Sequence, residues 1–301
     1  MKNYTSKKRT IKKFSLSSVF VGLIFVILFL YCISLLLPVA WMIWSSFKDV
    51  YSFYLYPFDL PDVWYPSNYP EVLQLLKIKT LRNGAYYTYG VVEMTGYSLL
   101  VSTLLPIAGT FWPMISGYIL SKYNFRGKKF LLALNLFIMT VPFVGTLPAA
   151  LKINKMIGRY DNLLLYVVLS GSPFGFNFIL FYGAFKGISN SYAEAAFIDG
   201  ASHFKVMVRI MLPMMIPTFA ARYILSFVTE WNDYMTIITW LPSYPNLAFG
   251  MYMFQNEAAR NGIGMPHILA GFVVVAIPTS VLWIFSQRLI TSKMMVGGLK
   301  E

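Results

Sequence analysis

Two carboxylates and a histidine stand close together in "EAAFIDGASHFKVMVRIMLP", residues 194–213: Glu194, Asp199 and His203. These side-chain types suit general acid and base chemistry, which needs its groups within hydrogen-bond reach of one reacting atom. Residues five apart on a helix, however, differ in direction by about 140°, so Glu194 and Asp199 diverge. His203 lies beyond Gly200, where the chain turns, and the only other histidine is His267. The sequence has no H-E-x-x-H, no G-x-S-x-G and no G-x-x-x-x-G-K-[ST]. Those patterns would bind zinc, expose a nucleophilic serine or cradle phosphates. Cys32, the single cysteine, lies in an apolar run, so an intrachain disulfide and a multi-cysteine metal site are excluded. It is expected to be an inert packing residue. No catalytic residue and no metal site are expected, and this chain alone is not expected to hydrolyse nucleotides.

The same stretch reads well as local architecture. Ser191 and Glu194 form S-x-x-E, the spacing at which a helix-capping serine and a glutamate satisfy each other's exposed backbone donors. Ala195, Ala196 and Ala201 are small, and Gly200 can take the left-handed conformation that ends a helix. Ser202 can then cap a second helix running through Phe204, Met207, Val208 and Met211. The expected product is a helix-turn-helix elbow over residues 190–213.

What must position this elbow is a membrane bundle. Of 301 residues, 57% are hydrophobic, 18% aromatic and only 12% charged, a composition suited to lipid as solvent. The formal charge of +13 resides in short basic clusters between apolar runs rather than in one stripe. This distribution points to membrane topology and away from nucleic acid. Six segments are long and apolar enough to span a hydrocarbon core, near 19–44, 97–119, 130–150, 163–184, 214–232 and 267–287. The first follows a basic tail, residues 1–18, but has no small-residue cleavage pattern, so it reads as a retained span rather than a signal peptide. Lys and Arg number sixteen on one set of connecting segments and eight on the other, which places both termini and the elbow in the cytoplasm.

Residues 45–96 form a long outer connection rich in Tyr, Pro and Trp. It reads either as an interfacial loop or as a contact surface for an external partner, with long helices discouraged by its prolines. Arg222 falls mid-span, about 12 to 14 Å from either end of a straight helix. A charge at that depth has three readings: contact with the hydroxyls or acidic group of a polar ligand, pairing with a carboxylate of a partner chain, or snorkelling. Trp231, Asn232, Asp233 and Tyr234 either anchor and cap the outer end of the fifth span or line an outer gate. In the second case Met251, Tyr252 and Phe254 would share that surface. "FGFNF" at 174–178 and Pro142, Pro148, Pro173 and Pro278 mark interrupted or kinked helices.

Glu194-Ala195-Ala196, Asp199-Gly200-Ala201, then Ile210, Leu212 and Pro213 resemble the EAA loop of the membrane subunits of ATP-binding-cassette importers. "FRGKK" at 125–129, "WNDY" at 231–234 and the closing "QRLITSKMMVGGLKE" extend the resemblance to the carbohydrate-uptake branch, in the subunit type represented by the second maltose permease. The resemblance implies an all-α membrane protein with the type I importer permease fold in a prokaryotic cell membrane. Its transmembrane domain would cover residues 19–301. It further implies import of a carbohydrate, an oligosaccharide being the expected class, with a second permease, an ATPase dimer and an extracytoplasmic solute-binding protein as partners. ATP and Mg would then be bound by the partner ATPase and no cofactor by this chain. Glu194, Ala195, Ala196, Asp199, Gly200, Ala201, Leu212 and Pro213 would couple to that ATPase. The alternatives are the same machine moving another polar solute and an ion-coupled carrier.

Overall fold

The computed structural model describes residues 16–82, 84–142 and 145–294. Most of the basic tail and the closing Gly297, Gly298, Leu299 and Lys300 lie outside these residues. Helix α1 (Leu16–Ser45) runs unbroken through Pro38, and its side chains from Phe20 to Val39 are exposed. Cys32 is exposed among them, so the expected packing role is not met within this chain. The apolar length of α1 faces outward, where lipid is the matching solvent.

The outer connection is more ordered than its prolines suggest. It carries α2 (Val50–Leu55), capped by the Asp49 side chain, α3 (Asn68–Leu75), and a hairpin of β1 (Ile78–Arg82) and β2 (Ala85–Tyr89). The register pairs Ile78 with Tyr89 and Arg82 with Ala85, which leaves a two-residue turn with Gly84 at φ +80°. This hairpin corrects the all-helical expectation, although the chain is otherwise mostly helical.

Helix α4 (Val91–Lys122) is the axis of the bundle. Glu93 Oε2 accepts the Gly90 N–H at 2.9 Å and closes its first turn. The helix continues through Pro106 and Pro113. The expected span 130–150 is two helices, α5 (Lys128–Thr140) and α6 (Leu147–Met156). The expected span 163–184 is likewise α7 (Leu163–Ser170) and α8 (Phe176–Gly187). The breaks contain Pro142 and Pro173, which have no N–H for the helical ladder. Pro148 instead sits in the first turn of α6, where the missing donor costs nothing. The elbow consists of α9 (Ser191–Ile198), α10 (His203–Val206), a π-helical turn over Met207–Met211 and α11 (Leu212–Met214). Then follow α12 (Ile216–Trp231), α13 (Met235–Trp240), α14 (Leu247–Asn261) and α15 (Met265–Met294). Phe20–Ser45 and Val91–Lys122 are each apolar and long enough to cross a bilayer. His203–Met214 and Ile216–Trp231 meet that test together across a 62° bend.

Helices α8 and α12 pack on α4. At Gly117 a Cβ would lie 2.9 Å from the Tyr182 backbone nitrogen, so only glycine allows α8 this approach. Buried clusters mark the two ends of α4. Met94 joins Val72, Trp231, Leu247 and Met251 at one end, and Met114 and Tyr118 join Phe181, Phe185, Val206 and Met215 at the other. The start of α4 thus meets the end of α12, and the two helices run antiparallel.

Candidate functional site

The elbow forms as its residue types dictate, with one correction. Helix α9 is entered from Asn190, one residue before Ser191, because Ser189 Oγ accepts the Ser191 N–H at 3.2 Å. Ser191 is therefore inside the helix, and the expected capping box is not made. Gly200 adopts φ +77°, and the Ser202 hydroxyl accepts the Lys205 N–H at 3.3 Å. A cap of this kind stabilises a helix end by about 1 kcal/mol. Pro213 cannot donate to the turn before it, and the chain widens there: Leu212 N–H reaches the Met207 carbonyl, one residue beyond α-helical spacing.

The elbow has two faces. Ala196, Ala201 and Leu212 are partly buried against the cluster of Tyr118, Phe181 and Phe185. Glu194, Ala195, Asp199, Gly200 and Pro213 are exposed. Ile198 is 86% exposed and Phe204 70%. No ion pair joins His203 to Glu194 or Asp199 among the described residues. The His203 ring packs instead at 4.6 Å from that of Phe197. The acid–base trio therefore does not converge.

Arg222 occupies a second polar locus, half-buried where α4, α8 and α12 meet. Its Nε donates to Asn177 Oδ1 at 2.6 Å, Nη1 donates to the Ser226 hydroxyl, and Asn177 Nδ2 donates to the Gly109 carbonyl at 3.2 Å. The guanidinium is thus engaged inside the fold rather than stretched towards a helix end. Among the described residues no carboxylate lies within ion-pair distance of it. Asn177 had escaped sequence reasoning, although an amide inside the apolar "FGFNF" was the available signal.

Trp231, Asn232, Asp233 and Tyr234 do not form a single surface with Met251 and Phe254. Trp231, Met251 and Phe254 are buried, at 1%, 4% and 5% exposure. The physical reason is their shared apolar cluster between α12, α14 and α15. Asn232 Nδ2 donates to the Val228 carbonyl at 2.9 Å. Asp233 Oδ1 accepts the Met235 and Thr236 N–H groups at 2.8 and 3.1 Å and so caps α13. Tyr234 stacks on the exposed Tyr252, with ring centroids 4.5 Å apart. This pair remains as an accessible aromatic face.

Comparison with known proteins agrees with this arrangement. A family model, "Binding-protein-dependent transport system inner membrane component", matches residues 109–296, which include the elbow and Arg222. The chain is 28% identical over 281 residues to a probable ABC transporter permease protein, YurM, of Bacillus subtilis, covering 92% of this chain and 88% of the relative. It is 25% identical over 279 residues to the diacetylchitobiose uptake system permease protein NgcG of Streptomyces coelicolor, covering 91% and 87%. A crystal structure of a bacterial ABC transporter involved in the import of the acidic polysaccharide alginate shares the fold. Its TM-score is 0.69 at 18% identity, covering 92% of this chain and 98% of that one. With its elbow formed and most of the bundle matched, the chain belongs to the family of inner membrane components of binding-protein-dependent transport systems.

Proposed function

We propose that this chain is one membrane-spanning subunit of an ATP-driven importer of a carbohydrate, an oligosaccharide being the expected class. In this reading the elbow docks in a groove of a separate ATPase subunit. The ATPase pair binds ATP and Mg, and its closure turns this chain and a second permease as rigid bodies between inward- and outward-facing states. An extracytoplasmic binding protein delivers the sugar. Six spans and cytoplasmic termini fit the distribution of Lys and Arg. The substrate class is supported by the likeness to the diacetylchitobiose uptake permease.

One observation carries the docking reading. Ile198 and Phe204 stand exposed beside Glu194, Asp199, Lys205 and Arg209, which are also exposed. A hydrocarbon core would not solvate those charges, and water would not favour that apolar pair, whereas a protein groove with a polar rim suits both. Replacing Ile198 with Asp should prevent the ATPase from co-purifying with the permease pair, while the pair itself still assembles. Undiminished co-purification would count decisively against docking at this elbow. Arg222, Tyr234 and Tyr252 are the pathway candidates in this reading: a guanidinium and a stacked aromatic pair suit sugar hydroxyls and ring faces. Arg222→Ala should leave assembly intact and lower sugar uptake.

A further inference from the structure

We infer that the end of α4 clamps the elbow on both sides of its turn, through Lys122 and Tyr123, so that ATPase movement enters the bundle through α4 rather than through α12. The inference rests on the docking reading above. Lys122 Nζ donates to the Ile188 carbonyl at 2.5 Å and to Asn190 Oδ1 at 3.0 Å, at the entrance to α9. The adjacent Tyr123 hydroxyl meets His203 Nδ1 at 3.3 Å, on the far side of Gly200. Two consecutive residues of one helix end thus hold both arms of the hairpin. Tyr123 is itself held from behind: its hydroxyl lies 3.2 Å from that of Tyr118, which is buried against Phe185. Val206 and Met211, which follow His203, are buried in one cluster with Met114 and Tyr118 of α4.

The covalent route from the elbow into the bundle is built differently. Between His203 and α12 lie a π-helical turn, Pro213 and a 62° bend. Such turns absorb changes of angle. A charged side chain with two acceptors and a tyrosine–histidine contact, backed by close packing, transmit displacement better than a wide turn does. Lys122 and Tyr123 are therefore positioning residues for coupling, and α4 is the lever.

The test uses the complete complex of both permeases, ATPase and binding protein in proteoliposomes, with uptake and ATP hydrolysis measured together. The Lys122→Met, Tyr123→Phe double variant should retain its ATPase and carry about fivefold less sugar per ATP, and Lys122→Arg should restore most of the ratio. An unchanged ratio with the ATPase bound overturns the inference while leaving docking untouched. An Ile198→Asp variant that still holds its ATPase would overturn the docking reading and the clamp with it. A second measurement does not depend on the double variant assembling. In a Cys32→Ser background, Lys122→Cys and Asn190→Cys are joined by a short thiol-reactive linker cleavable by reductant. The two cysteines remove the Lys122 grip, so if α4 and the elbow move as one body the tether should replace it and raise sugar carried per ATP above that of the untethered protein. Uptake abolished by the tether and restored by reductant refutes the clamp.

Discussion

Gly200 is the residue on which the elbow's shape depends most directly, and its surroundings separate two reasons for needing glycine. Its φ of +77° lies in the left-handed region, and a Cβ built there meets no atom within 4 Å. Space is therefore not limiting, and the cost of a side chain is conformational. For an ordinary L-residue this cost is about 1–2 kcal/mol, with a β-branched residue at the upper end and asparagine below it. If the strain falls on the turn alone, a 1.4 kcal/mol penalty shifts the turn's equilibrium about tenfold away from the docking geometry and weakens apparent ATPase affinity by up to that factor. Titrating the detergent-solubilised permease pair with purified ATPase subunit should give affinities in the order Gly, Asn, Ala, Val at position 200. The decisive comparison is Asn against Ala. Asparagine is larger but better suited to positive φ, so tighter binding by Gly200→Ala than by Gly200→Asn would refute the backbone argument and point to bulk.

Gly117 presents the opposite case. Its Cβ would meet Phe181 Cβ and the Tyr182 nitrogen at 2.9 Å, so Gly117→Ala should lower the apparent Tm of the complex at a cost of about 1–3 kcal/mol. Gly109→Ala, with no atom within 4 Å of its Cβ, is the control, and equal Tm values would contradict the packing. Asn177→Ala and Arg222→Ala should each lower uptake, and the double variant should fall little further because the two side chains act together; additive losses would separate them. In the outer connection, the Asp49 carboxyl is held below its ordinary range, first by the Ser52 hydroxyl and then by the Ser52 N–H. Its folded-state value being depressed, the cap stabilises α2 at neutral pH and is lost as pH falls through that value. Ser52→Ala should make amide exchange over residues 50–55 rise at a higher pH than in the unmodified chain; an unshifted onset would contradict this.

Features fixed by a single residue's backbone preference were legible. The turn at Gly200, the cap at Ser202 and the breaks beside Pro142 and Pro173 follow from an allowed φ, a short hydroxyl and a missing donor. The hairpin at 78–89 also had its signal: Asn83-Gly84 lies between alternating residues, the strongest local mark of a two-residue turn. Its tyrosines suit a membrane interface equally well, and the interfacial reading masked the strand reading. The misplaced cap at Ser191 has a competitive origin, since the Ser189 hydroxyl takes the Ser191 N–H that the Glu194 carboxylate would accept in a capping box. Least legible were contacts between distant segments. Arg222 was conspicuous as a charge, but its partner Asn177 lies 45 residues away. Met251 and Phe254 belong to an outer surface in only one of the two sequence readings, and their burial against Ile268 and Ala270 of α15 settles the choice.

Helix α4 connects these separate features. Along one rod it carries the Glu93 closure, the Gly109 carbonyl that accepts from Asn177, the close approach at Gly117 and the Lys122 grip on the elbow. Thirteen residues separate Gly109 from Lys122, a helical length of about 20 Å. If the clamp holds, a push on the elbow travels along α4, which continues as helix through Pro113 and is held against α8 at Gly117. There it meets Asn177, whose amide spans the α4 carbonyl and the α12 guanidinium. Movement of α4 relative to α12 must stretch or exchange one of those hydrogen bonds. Loss of either bond changes the hydrogen bonding around Arg222, the charge proposed to face the sugar pathway. On that reading the two polar loci are ends of one mechanical connection, and Asn177→Ala should lower sugar carried per ATP even though Asn177 lies far from the proposed ATPase-docking elbow.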